Sequence, residues 1–152
     1  MQHTFLRDNF YLDFLPQMVG EDGVIRGPAG DGRLSAVARA DIAAVAVAVL
    51  TDPPAHAGAT YTLTGPEAFT LSEAAAVITV RTGRAVSYHD ETVEEAYESR
   101  RRWEAPDWQY DAWVSTYTAI KVGEVAAVTD DVRRVAGHAP QSLGELLALG
   151  HV

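Results

Sequence analysis

Ala36-Val-Ala-Arg-Ala-Asp-Ile-Ala-Ala-Val-Ala-Val-Ala-Val-Leu50, answered by Tyr61-Thr-Leu-Thr-Gly-Pro66, decides the fold. The first stretch opens apolar and turns helical at Asp41. The Asp41 carboxylate is placed to cap the free N–H groups of a first turn and to meet the positive end of the helix dipole. Ile42, Val45, Ala46, Val49 and Leu50 recur at helical spacing, with alanines on the other faces. A helix without charge from Ile42 to Leu50 is expected to be covered by protein on more than one side. Thr51-Asp-Pro-Pro54 stops it, because proline cannot continue the hydrogen-bond ladder. The chain then turns at Gly58 and returns as a strand over Thr60–Thr64. The reading is a strand–helix–strand unit in an α/β domain, with the rest packed around it.

Working outward, Thr4–Arg7 predicts a short strand with no visible neighbour before it. Asp8 or Asn9 is placed to cap a helix carrying Phe10, Tyr11, Phe14 and Leu15, with Pro16 kinking or ending it. Gly23–Pro28 and Leu34–Val37 flank a glycine-rich turn and read as a loose hairpin. Three capping boxes follow, Thr70 with Glu73, Thr92 with Glu95 and Ser142 with Glu145, each with hydroxyl and carboxylate spaced to satisfy free N–H groups reciprocally. They predict helices over Ala74–Val80, Val93–Trp103 and the stretch after Ser142. The second of these carries Glu94, Glu95, Glu98 and Arg100 to Arg102 on its polar side. Ala85–Tyr88 reads as a strand. Pro106 and Asp107 open a longer helix with Tyr110, Trp113, Val114, Tyr117 and Ile120 on one stripe, and a short helix begins near Asp130. The sum is a few short strands with about six helices.

Composition narrows the functions. A chain of 152 residues with 47% hydrophobic residues can bury a real core. The net charge of −9 argues against nucleic acid and anionic membranes as partners, since both need clustered cations. With no cysteine, disulfides, thiolate metal sites and cysteine nucleophiles are excluded. No run approaches a membrane span and no signal peptide is visible, so a cytoplasmic location is expected.

Tyr117-Thr-Ala-Ile-Lys121 matches Tyr-x-x-x-Lys, the acid/base pair of short-chain dehydrogenases. That chemistry needs a serine well upstream, and Ser115 is only two residues away. The motif therefore reads as a core aromatic followed by a surface lysine. Gly27–Gly32 lies between strands, whereas a phosphate cradle runs from a strand into a helix N-terminus, so it reads as a turn. His3, His56, His89, His138 and His151 never pair at metal-ligand spacing. Asp130 and Asp131 read as helix-start residues. Trp103, Trp108, Tyr110, Trp113 and Tyr117 form a dense aromatic group, read equally as core packing or as a wall for a flat ligand.

Thr4–Tyr11, Val37–Ala43, Tyr61–Pro66 with Thr70–Glu73, Thr82–Val86, Asp107–Tyr117 and Gly137–Leu143 together resemble, in order, the C-terminal half of atypical short-chain dehydrogenases of the NmrA-like group. The quinone oxidoreductase-like members are nearest. The resemblance covers nearly the whole chain. It implies the C-terminal portion of an NAD(P)-binding Rossmann-like fold, 1–152 forming the substrate-binding portion and the glycine-rich cofactor half missing. Met1 would then be internal to a longer protein or a late start. The implied function is hydride transfer from NAD(P)H to a quinone-type acceptor. The cofactor belongs to the intact protein, and the isolated chain is expected to hold none and to be inactive. On this reading Phe10, Tyr11, Trp108, Trp113 and Tyr117 are expected to wall the acceptor, Arg7 and Asn9 lie just beyond the strand end where open α/β sheets bind ligands, and no catalytic residue is assigned. The alternatives are a non-enzymatic dinucleotide or redox sensor that binds a partner protein, and an inactive remnant. A homo-oligomer, or association with the missing half, is expected through the uncovered strand edge.

Overall fold

A computed structural model describes residues 3–150. Its six strands make three two-stranded sheets. Strand β1 (Phe5–Asp8) runs parallel to β4 (Thr60–Leu63), and β2 (Val24–Gly27) parallel to β6 (Ser87–Asp90). The short β3 (Arg33–Leu34) and β5 (Phe69–Thr70) are antiparallel. Six α-helices accompany them: α1 (Arg39–Thr51), α2 (Leu71–Thr82), α3 (Val93–Arg100), α4 (Asp107–Lys121), α5 (Asp131–Ala136) and α6 (Leu143–Ala148).

Two cores hold this together. The smaller one, Val37, Val45, Tyr61, Leu63 and Val132, lies between the β1–β4 sheet and helices α1 and α5. The larger one joins Leu12, Leu15, Ile25 and Leu34 to the inner faces of α2 and α6 and to Ile120 of α4. Residues 35–38 run between the two cores and are fully buried. Val37 bridges in parallel to Tyr11, so the strand–helix–strand unit exists, but β4 takes β1 rather than this segment as its partner.

All three capping boxes form as read, at Thr70, Thr92 and Ser142. Gly83 ends α2 with φ 72°, the left-handed geometry that glycine adopts without steric cost.

Five local expectations are corrected. The expected loose hairpin is absent: β2 pairs with β6 and β3 with β5 instead of with each other. The expected helix after Asn9 is two 3-10 turns, Leu12–Phe14 and Pro16–Met18, because Phe10 and Leu12 commit their backbone groups to Val37. Helix α1 starts at Arg39, and Asp41 does not cap it. Its first N–H, that of Arg39, donates to the Asp13 carboxylate at 2.9 Å, so the cap comes from the preceding turn. Asp41 is buried (4% exposed) and accepts the Gln141 N–H at 2.8 Å, with His138 Nδ1 3.7 Å from its other oxygen. Helix α1 is also less covered than its composition implies, with Val47 60% and Leu50 76% exposed. Arg100, expected on the polar side of α3, is buried against Glu91 at 2.9 Å and donates to the Arg26 carbonyl, because α3 lies on β2.

Asp41→Ala is expected to lower stability by about 1.5–3 kcal/mol, the range for a hydrogen bond to a charged group. Amide exchange at Gln141 should rise with it. Denaturation with per-residue exchange measures both, and unchanged exchange at Gln141 would contradict the clasp.

Hydrogen bonds from the Thr70 backbone and the Ser142 hydroxyl hold Glu73 and Glu145 below the usual 4.5. With folded values below unfolded ones, the stability they add is present above about pH 4.5 and lost as pH falls through the folded values. An E73Q/E145Q variant should lose helix less steeply between pH 5 and 3, roughly the carboxylate range, by circular dichroism.

Candidate functional site

Asn9 follows the carboxyl end of β1 directly. Its Nδ2 donates to Ser35 Oγ at 2.9 Å and to the Val125 carbonyl at 3.1 Å, and its Oδ1 accepts the Phe10 N–H at 2.7 Å. Ser35, wholly buried, donates its hydroxyl to the Ala127 carbonyl at 2.6 Å and its N–H to Val125. The Asn9 amide is thus committed to fixing the chain where it leaves the sheet. This knot sets the position of Phe10, which packs on the larger core, and of Tyr11, which is half-buried.

The Tyr11 ring lies 5.7 Å from that of Phe14, which is 40% exposed, and the Arg39 guanidinium sits 5.7 Å from the Phe14 centroid. Asp13 holds Arg39 through a 3.3 Å ion pair as well as through the cap. An aromatic ledge with a cation at its side therefore stands beyond the ends of β1 and β4. Arg7 is exposed, on the opposite side of β1 from Leu6. Asp8, the last residue of β1, has its carboxyl pushed up by partial burial. Phe14 was legible only as a stripe residue. Asp13 and Arg39 gave no signal, since a contact across 26 positions leaves no local pattern.

Helix α4 splits its three expected acceptor residues. Trp108 is 69% exposed on the first turn. Trp113 packs edge-on against Trp103 at 6.0 Å and Tyr110 at 5.8 Å, and the Tyr110 hydroxyl donates to the Trp103 carbonyl at 2.7 Å. Beside this group, Tyr97, Arg101, Asp107, Tyr110 and Asp111 line an open polar groove of about 530 Å³. Tyr117 joins the larger core with Phe10.

The Tyr117 ring covers Gly27, where an added Cβ would lie 2.1 Å from Tyr117 Cδ1, and Arg100 stands 4.9 Å over its face. Burial pushes the Tyr117 hydroxyl up, with the Arg100 charge pulling against it. An acid/base tyrosine needs its value lowered by the lysine, whereas here Lys121 is exposed on the surface beyond it. Gly27–Gly32 connects β2 to β3, strand to strand, and so offers no helix N-terminus to a phosphate.

His56 meets the Tyr61 hydroxyl at 2.8 Å, and no group of three metal-ligating side chains occurs among the described residues. His151 lies outside them. Among the described residues no helix is long and apolar enough to cross a membrane.

No family model matches the chain. It is 33% identical over 148 residues to the NAD(P)H azoreductase of Xenophilus azovorans, covering 95% of this chain and 51% of that protein. The NADPH-dependent quinone oxidoreductase 2 of Escherichia coli, in its complex with NADPH, superimposes with a TM-score of 0.88 at 27% identity, over 100% of this chain and 54% of that one. The chain is a homologue of these NAD(P)H-linked reductases. NmrA, a negative transcriptional regulator, shares the fold alone at a TM-score of 0.67 and 17% identity, covering 97% of this chain and 52% of that one. The chain spans about half the length of the relatives it matches. Its α/β architecture is that of the NAD(P)-binding quinone oxidoreductase fold.

Gly27→Ala is expected to destabilise the chain by about 1–3 kcal/mol, because a methyl must displace the Tyr117 ring. In a Tyr117→Ala background, itself less stable because a buried ring is lost, the same glycine substitution should cost less. An equal cost of Gly27→Ala in the two backgrounds, by urea denaturation, would contradict the close approach.

Proposed function

We propose that this chain is the acceptor-binding portion of an NAD(P)H-dependent reductase of the quinone oxidoreductase type. It would work with a cofactor-binding portion of the kind the family resemblance implies. The supporting observation is the Tyr11–Phe14 ledge with Arg39, beyond the carboxyl ends of the parallel strands β1 and β4. Open α/β sheets bind ligands at that end.

Flat rings favour stacking on such aromatic faces, and a cation beside the ledge favours the charge an acceptor oxygen gains on reduction. Bound NAD(P)H would supply the hydride. Phe10, Tyr11 and Phe14 would orient the acceptor, Arg39 would steady its oxygen, and Asn9 with Ser35 would keep the ledge in place. The glycine-rich turn has the wrong connectivity for a pyrophosphate, so these residues fit the acceptor side of the reaction and not the dinucleotide. The alternative, a redox sensor, would bind the dinucleotide without oxidising it.

The test joins this chain to the cofactor-binding half of the Escherichia coli quinone oxidoreductase and follows NADPH oxidation with a quinone panel. The chain alone should neither bind nor oxidise NADPH, and the joined protein should turn over. Phe14→Ala and Arg39→Ala should raise KM for the quinone. Lys121→Ala should leave turnover nearly unchanged, where loss of a general acid would lower it by about 10²–10⁴-fold. Micromolar NADPH binding by the chain alone, or binding without oxidation by the joined protein, would overturn the reading.

A further inference from the structure

Arg39 opens α1 with its backbone N–H on one Asp13 oxygen at 2.9 Å and its Nε 3.3 Å from the other. Asp13 therefore holds both the first turn of the helix and one edge of the guanidinium. The two terminal nitrogens of Arg39 lie beyond that contact and hydrogen-bond to nothing among the described residues. The side chain is 58% exposed, so a ligand can reach them. Beside them stand Phe14, its ring centre 5.7 Å from the guanidinium carbon, and Tyr11, its ring tilted 38° to that of Phe14. An aromatic surface and an unused planar pair of donors share one place.

We propose that the acceptors taken at this ledge are flat aromatic compounds carrying an acidic group, a carboxylate or a sulfonate, on the ring. This rests on the reading of the ledge as the acceptor site and adds the chemical class of its ligand. The carbonyl of a neutral quinone presents a single oxygen to the arginine. A carboxylate or sulfonate presents two oxygens at the spacing of the guanidinium fork and accepts two parallel, charge-assisted hydrogen bonds. The ring lies against Phe14 and Tyr11 while the acid meets the terminal edge of Arg39.

Asp13 is part of this selectivity. With the Nε edge occupied, the guanidinium offers only its terminal edge, which fixes where the acid sits relative to Phe14. An ion pair to an exposed side chain contributes little by itself, because water competes for both partners. The ring contact changes this by holding the ligand in place, so that the acid meets the fork at high effective concentration. The net charge of −9 works against anions in general. A preference for an acidic ligand must then come from a local arrangement such as this one.

A redox-inert pair of probes tests the class without any turnover. Naphthalenesulfonate and neutral naphthalenemethanol are titrated into the 152-residue chain and followed by amide and arginine side-chain NMR signals. The sulfonate is expected to bind about tenfold more tightly and to move the signals of residues 11–14 and of the Arg39 side chain. Arg39→Lys keeps the charge but loses the fork, and should erase the preference. Lys121→Ala removes a cation elsewhere on the surface and should leave it intact. Equal binding of the two probes, no binding of the sulfonate by the folded chain, or a preference that survives Arg39→Lys would overturn the proposal. In the joined protein, the ratio of kcat/KM for naphthoquinone sulfonate to that for naphthoquinone should fall in Arg39→Lys through KM. Comparing the two proteins cancels the different reduction potentials of the quinones. Turnover of both quinones at a ratio that Arg39→Lys does not change would contradict the acidic class and leave the reductase reading standing. Preferential binding of the sulfonate by the chain, with no turnover by the joined protein, would retire the reductase reading and leave the ligand class.

Discussion

Everything that gives the site its shape depends on the Asn9 carboxamide being fully spoken for. Its two N–H groups go to Ser35 and Val125, its oxygen to Phe10, and Ser35 passes the connection on to Ala127. One side chain thus ties the end of β1 to the buried 35–38 segment and to the loop that follows α4. Asn9 is partly buried and Ser35 wholly so, and polar groups withdrawn from water are costly when unpaired and strongly orienting when paired. Here the pairing is complete, since no buried side-chain polar atom among the described residues lacks a partner. Its consequence is positional. Phe10 is directed into the larger core, Tyr11 toward Phe14, and the aromatic ledge stands where the parallel strands end.

A second constraint acts on the opposite flank. Tyr117 presses on Gly27 with Arg100 above it, and Arg100 is itself held by Glu91 and the Arg26 carbonyl. An arginine and a glutamate taken out of water together are tolerable because their hydrogen bonds are made, and losing one would strand the other. The pair fixes α3 on β2 and, through Tyr117, the C-terminal half of α4. The first turns of α4 are left outside that clamp. This separates Trp108 and Trp113 from Tyr117, although the sequence spaces all three along one helix.

What was legible in the sequence was what is local. The three capping boxes, the proline stop after α1 and the Tyr110–Ile120 stripe each depend on residues a few positions apart, and each gave a helix close to where it lies. The ordered motifs also carried the α/β class and the kinship to quinone oxidoreductases. What was not legible is what crosses the chain. Asp41 looks like a cap because caps are acidic and precede apolar runs, but its carboxylate is claimed by Gln141, and Asp13 does the capping. Arg100 reads as polar surface because nothing nearby in sequence announces Glu91 and β2 as its neighbours. The strands failed as a hairpin for the same reason, as β2 needs β6 and β3 needs β5. At the proposed ledge, Asn9, Phe10 and Tyr11 are consecutive and were read together, whereas Phe14 and Arg39 meet only because Asp13 brings α1 to the turn.

The central claim is that the acceptor lies on the Tyr11–Phe14 ledge beside Arg39, and not on the tryptophan group of α4. Photolabelling the joined, NADPH-bound protein with an azido-quinone and mapping the adducts by peptide mass spectrometry tests this most directly. The account places the label within 10–14 and on the first turn of α1. Adducts concentrated on Trp103, Trp108 or Trp113, with residues 10–14 unlabelled, would contradict it.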